Sequence, residues 1–107
     1  MNLGKNMTDK LKLIITRPAY NDMQNIFEYI AQDNRVAAMK LLSLFEEKFN
    51  NILDFPNIGY KPKFLSKDIR VCIVAKHYQI VYTNNNRNLY IQRILTGYQD
   101  IFNRNHK

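Results

Sequence analysis

The stretch "TRPAYNDMQNIFEYIAQDNRVAAMKLLSLFEEKFNNILDFP", residues 16–56, predicts the central feature of the fold, which is two helices in direct succession. From Ala19 onward, apolar residues recur every three or four positions, as on one face of an amphipathic helix. "QDN" at 32–34 interrupts this pattern, and a second apolar stripe begins near Val36 and ends before Pro56. We therefore expect a helical hairpin with a very short connection.

The segments on either side of the hairpin predict strands. "LKLIIT" at 11–16 precedes it, and three further strand candidates follow at 69–75, 78–83 and 89–95. The polar run "NNNRN" at 84–88 predicts the turn between the last two. The order β-α-α-β-β-β favours an α+β domain, with the helical hairpin packed on one face of a small, mainly antiparallel sheet.

Composition excludes several classes of protein. A chain of 107 residues is long enough for one domain and one core. The first ten residues contain no apolar leader segment, and no apolar run approaches the ~20 residues of a membrane helix. We expect a cytoplasmic protein with no membrane partner. The lone Cys72 cannot form an internal disulfide, and the few soft ligands lack metal-site spacing, so we expect no metal and no cofactor.

The net charge of +7 is concentrated in one half of the chain. Residues 1–56 hold seven Lys/Arg and seven Asp/Glu, whereas residues 57–107 hold nine Lys/Arg against Asp68 and Asp100. This imbalance favours an anionic partner such as a nucleic acid, an acidic protein or a membrane surface, although a solubilising surface would give the same pattern.

Strand alternation assigns side chains to the two faces of the sheet. If Lys76 and His77 form a two-residue turn, Ala75 pairs with Tyr78. The face covered by the helices then carries Val71, Ile73, Ala75, Tyr78, Ile80 and Tyr82. The opposite face, called here the open face, carries Arg70, Cys72, Val74, Gln79, Val81 and Thr83. A loop of different parity would reverse one strand relative to the other.

Four motifs, "TRPAYNDMQNIFEYI", "DFPNIGYKP", "YQIVY" and "ILTGYQDI", occur in this order within residues 8–101. Together they resemble the RelE/ParE superfamily of bacterial toxins from type II toxin-antitoxin modules. The resemblance implies a small basic toxin of β-α-α-β-β-β topology, held inactive by an antitoxin encoded beside it. We therefore expect a disordered extension at residues 1–7, the toxin domain at 8–102 and a mobile tail at 103–107.

The superfamily resemblance leaves two mechanisms to separate. RelE-like members cut messenger RNA in the ribosomal A site, and carry an arginine directly after the first tyrosine of the strand that "YQIVY" resembles. This chain has Gln79 there. A metal-independent ribonuclease needs positive charge beside the phosphate and an acid-base pair. RelE-like members end with a His-Tyr pair or with an arginine and a tyrosine after the last strand. The ending "TGYQDIFNRNHK" places Tyr98 early and Arg104 and His106 in the tail, and it has no His-Tyr pair.

ParE-like members instead poison DNA gyrase, and their typical ending is a hydrophobic strand running into a His-Gly-Arg-Arg-Asp-like turn. Residues that match this ending are Arg93, Gly97 and Asp100, and residues that depart from it are Thr96, Tyr98 and Gln99. The resemblance therefore favours a gyrase poison. A ribosome-dependent messenger RNA endonuclease is the alternative, and a degenerate toxin that only binds antitoxin is a third possibility.

Candidate site residues follow from the resemblance and the charge pattern. If the protein is a nuclease, the catalytic candidates are Arg70, Arg93 and Tyr98. Candidates for contact with the target or a phosphate are Lys76, His77 and Gln79. Candidates for contact with an acidic C-terminal antitoxin segment are Lys61, Lys63 and Lys67. The expected partners are this antitoxin and either DNA gyrase or the ribosome with its messenger RNA.

Overall fold

The computed structural model describes residues 11–65 and 68–97. Its elements are β1 (Lys12–Ile15), α1 (Arg17–Ala31), α2 (Arg35–Asp54), β2 (Arg70–Val74), β3 (Tyr78–Asn84) and β4 (Asn88–Thr96). The predicted β-α-α-β-β-β order and α+β class are confirmed. The predicted extension at 1–7 and tail at 103–107 lie outside the described residues.

Side chains just before each helix fix where the hairpin helices begin. Thr16 Oγ1 accepts a hydrogen bond from Ala19 N at 3.3 Å, and Asn34 Oδ1 accepts one from Ala37 N at 2.9 Å. These bonds satisfy N–H groups that have no partner inside a helix. Among the helices of the described chain, none has the length and apolar character needed to cross a membrane.

The four strands form one sheet in the order β1-β4-β3-β2. β1 runs parallel to β4, whereas β4–β3 and β3–β2 are antiparallel pairs, so the predicted mainly antiparallel sheet is confirmed. A bulge shifts the β3–β4 register between Val81 and Tyr82. Val81 pairs with Arg93 and Tyr82 pairs with Ile91, so Gln92 is left without a partner residue in the register.

The core lies between the hairpin and one face of this sheet. From α2, Phe45, Phe49 and Ile52 are buried, and they pack in one cluster with sheet residues such as Ile80 and Tyr82. Within residues 11–65 and 68–97, both helices therefore pack on the same face of the sheet, opposite the open face.

The predicted faces of β3 are confirmed, but those of β2 are wrong. Val74, not Ala75, pairs with Tyr78, so the turn contains three residues, 75–77. Ala75 and Lys76 both adopt positive φ, 53° and 66°, which allows this longer turn. Because the parity of the turn differs, every β2 side chain changes face.

The corrected faces of β2 follow directly from its pairing with β3. Cys72 and Val74, predicted on the open face, join the core cluster. Val71 and Ile73, predicted in the core, share the open face with Val81 and Gln79. Residues with other corrected positions are Arg70, which pairs with Tyr82 on the helix-covered side, and Ala75, which is exposed in the turn.

Candidate functional site

The open face carries a cavity of about 630 Å³. Strand residues in its lining include Val81, Thr83, Tyr90, Gln92 and Arg93, and Gln92 Nε2 donates a hydrogen bond to Thr83 Oγ1 at 3.0 Å. The β3–β4 register places these side chains on one face. The cavity therefore offers amide, hydroxyl and guanidinium groups together.

Arg93, a predicted catalytic candidate, is held by an acidic residue of α1. Its Nε donates to Asp22 Oδ2 at 2.7 Å and a terminal nitrogen donates to Asp22 Oδ1 at 3.0 Å. Ile94 N donates to the same carboxylate at 2.9 Å, so Asp22 also binds the backbone of β4 beyond the end of β1. The hydrogen bonds and the charge of Asp22 raise the pKa of Arg93, whose side chain is 51% exposed. This geometry is a bidentate ion pair.

Arg70, the second catalytic candidate, points to the loop after α2. One terminal nitrogen donates to Gly59 O at 2.7 Å and to Asn57 O at 3.2 Å. The same loop is held by Tyr82, whose hydroxyl donates to Pro56 O at 2.7 Å and accepts from Gly59 N at 2.9 Å. The structure therefore separates Arg70, on the helix-covered side, from Arg93, on the open face.

The three residues proposed to contact a target or phosphate have different surroundings. Gln79 lies on the open face, as predicted, but its side chain is 0% exposed and does not point into solvent. Lys76 and His77 are exposed in the β2–β3 turn, and His77 O accepts a hydrogen bond from Gly97 N at 2.6 Å. The turn thus presents an ammonium group and an imidazole at one end of the sheet.

Two of the three lysines assigned to antitoxin binding are exposed in the loop after α2. These are Lys61 and Lys63. Lys67 and the catalytic candidate Tyr98 lie outside the described residues. Cys72 is buried, and desolvation raises the pKa of its thiol, which disfavours the reactive thiolate.

Sequence reasoning missed three residues that shape these surfaces. Asp22 carries no local signal, because its partners Arg93 and Ile94 lie more than seventy positions away. Tyr82 has the alternation of a core residue, which conceals its hydroxyl contacts with the loop. Gly59 could have been found from the sequence, since a glycine in "PNIGYKP" indicates a place where another group comes close to the backbone.

The chain matches the family described as "ParE toxin of type II toxin-antitoxin system, parDE" over residues 13–101. A solved structure described as "Chromosomal ParDE TA system from P. aeruginosa" is similar with a TM-score of 0.69 and 18% identity, covering 83% of this chain and 98% of that chain. No curated protein matches the chain. Because the family match spans most of the chain, this protein belongs to the ParE family and is the toxin of a type II toxin-antitoxin system, with a cognate antitoxin as its partner.

Proposed function

We propose that this toxin stops growth in the cytoplasm by poisoning DNA gyrase rather than by cutting messenger RNA. The observation that carries the proposal is the ion pair between Arg93 and Asp22, at 2.7 and 3.0 Å. Cleavage of RNA requires a group that stabilises additional negative charge on the phosphate. A guanidinium already neutralised by a carboxylate is poorly suited to that role.

The surroundings of Arg70 and Gln79 support the same proposal. Arg70 uses its guanidinium to hold loop carbonyls on the other side of the sheet, so it does not join Arg93 at one site. Gln79 brings no charge and is buried. The described candidates therefore do not form the cluster of cations that a metal-independent ribonuclease uses.

The decisive experiment expresses the toxin without its antitoxin and follows growth, DNA breaks and messenger RNA ends in the same culture. We expect growth arrest with DNA breaks and without cuts in phase with codons. Purified gyrase should also lose supercoiling activity when the toxin is added, and the antitoxin should restore it. Codon-phased cuts without DNA breaks would favour the endonuclease, and normal growth would refute both mechanisms.

We also infer which surfaces the antitoxin covers. Exposed apolar residues at the tip of the hairpin, Tyr29, Val36 and Met39, suit the apolar face of an amphipathic helix. The backbone N–H and C=O of Val71 point away from β3 and bond to Tyr60. Two residues on, the backbone groups of Ile73 point to the same outer edge of β2, where a strand of the antitoxin can pair. The binding is testable by measuring complex formation between purified toxin and antitoxin.

The basic half of the chain suggests that the antitoxin segment on it is acidic. Lys61 and Lys63 are both exposed there. Charge attraction accelerates association and is screened over about 8 Å at physiological ionic strength. We therefore expect the association rate to fall as salt is raised. A rate that does not respond to salt would contradict an acidic partner segment.

A further inference from the structure

The loop between α2 and β2 exposes far more apolar surface than its position requires. Within residues 55–65, five large apolar side chains are between 36% and 65% exposed, namely Phe55, Ile58, Tyr60, Phe64 and Leu65. Connecting loops usually present polar side chains to solvent, whereas grouped exposed apolar residues mark interaction sites. We call residues 55–65 the apolar loop.

The first half of the apolar loop, residues 56–60, is fixed to the sheet before any partner arrives. The Tyr82 hydroxyl bridges Pro56 O and Gly59 N, and Arg70 donates to Gly59 O. Tyr60 and Val71 exchange two backbone hydrogen bonds of 3.0 and 2.9 Å. A side chain at Gly59 would place its Cβ 2.7 Å from the Tyr82 hydroxyl, so the contact needs glycine. A loop held this way loses little conformational entropy on binding.

We propose that the apolar loop is a preformed docking surface for an acidic, apolar segment of the cognate antitoxin, and that Tyr82 and Arg70 are its positioning residues. This inference rests on the part of the proposed function that assigns surfaces to the antitoxin, and it adds the apolar loop to those surfaces; it does not depend on gyrase as the target. The charge of the loop selects an acidic partner, since Lys61 and Lys63 lie among its apolar side chains.

The apolar character of the loop selects the antitoxin over the target. Long-lived complexes bury more apolar surface than brief encounters do. A toxin held inactive by its antitoxin is bound to it most of the time. An apolar surface that would otherwise be exposed to water is therefore best covered by the antitoxin. The target, in contrast, meets only the released toxin.

The test measures binding of the purified full-length toxin to the purified antitoxin of its own module. Phe64→Ser and Ile58→Ser should each weaken the complex about tenfold or more, mainly through faster dissociation. Tyr20→Ser is the matched control, because Tyr20 is 57% exposed on α1 and Phe64 is 58% exposed on the loop. The control should change affinity by less than about twofold.

A second measurement separates positioning from general stability. Tyr82→Phe should weaken antitoxin binding although its side chain is buried and out of the partner's reach. Combined with Ile58→Ser, it should weaken binding by less than the product of the two single effects, because Ile58 lies between Pro56 and Gly59, the two residues that the Tyr82 hydroxyl holds. Independent, multiplicative effects would refute the positioning role.

The remaining outcomes are also decisive. If the unaltered toxin does not bind the antitoxin of its module, the antitoxin-binding surfaces inferred above and this inference fail together, whatever the outcome with gyrase. If it binds and the loop variants bind equally well, only the inference is refuted. If the loop variants keep antitoxin affinity but no longer arrest growth, the loop serves the target and the chosen occupant is wrong. Thermal unfolding of each variant identifies folding failures, and Lys63→Glu, with expected slower association, then serves as the replacement variant.

Discussion

Tyr82→Phe isolates the contribution of one hydroxyl to the stability of the toxin. The ring stays in the core, while two hydrogen bonds are lost, one of 2.7 Å to Pro56 O and one of 2.9 Å from Gly59 N. Gly59 is buried, so its N–H loses its partner where water has little access. At about 1 kcal/mol per bond, plus the penalty for a buried unpaired donor, we expect a loss of about 2–3 kcal/mol.

The assay is urea unfolding at neutral pH, monitored by circular dichroism. The midpoint should fall with an unchanged m-value, and the thermal midpoint should drop by about 10 °C or more. Tyr20→Phe is the matched control, because it removes the same hydroxyl from a side chain that is 57% exposed, and it should stay within about 0.5 kcal/mol. A Tyr82→Phe loss no larger than that of the control would refute the reasoning.

The pH dependence of stability tests the same hydroxyl without relying on an energy assigned to each hydrogen bond. Burial is the main cause that raises the pKa of Tyr82 from 10.0 to about 12. The folded state therefore favours the protonated phenol, and this contribution is complete below pH 10 and is lost as pH rises toward 12. Between pH 10 and 12, the free energy of unfolding should decrease less in Tyr82→Phe than in the unaltered toxin. Identical pH profiles would show that the phenol does not couple to folding.

The other contacts give three further predictions, each measured by urea unfolding. Arg93→Gln should cost less than about 1 kcal/mol because the arginine is half exposed, whereas Asp22→Ala should cost about 2 kcal/mol because Ile94 N also loses its acceptor. Equal losses would contradict the backbone role of Asp22. Ala75→Gly should stabilise by about 0.5–1 kcal/mol by relieving its φ of 53°, and a loss would indicate that the turn is not strained. Gly59→Ala should destabilise by about 2 kcal/mol or more, since its Cβ would meet the tyrosine hydroxyl and a backbone carbonyl, and an unchanged midpoint would show that the loop yields.

The helices could be predicted from sequence because their signals are local. The apolar period of α1, the "QDN" interruption and the proline at 56 each act within a few residues of their own position. The predicted helix start near Val36 and the observed start at Arg35 differ by one residue. An element whose signals are local can therefore be predicted without knowledge of its tertiary contacts.

The faces of β2 could not be predicted in the same way. They depend on whether the β2–β3 turn has two or three residues, and that choice places Ala75 and Lys76 in a conformation that their residue types disfavour. The observed register packs Cys72 and Val74 against the helices and leaves Ile73 40% exposed. Alternation along β2 fits either face, so the strand's own pattern does not choose between the two registers.

Gln79 links the fold to the mechanism. RelE-like nucleases resemble this chain but carry an arginine at that position, and the neighbours of Gln79 across the sheet are Ile73 and Leu95. The side chain of Gln79 has no exposed area. An arginine there would have to bury its charge or rearrange the open face, and an uncompensated buried charge is strongly unfavourable. Because glutamine is uncharged, its burial at position 79 costs less than the burial of an arginine would. A change of that one residue would also not supply the acid-base pair that a ribonuclease needs.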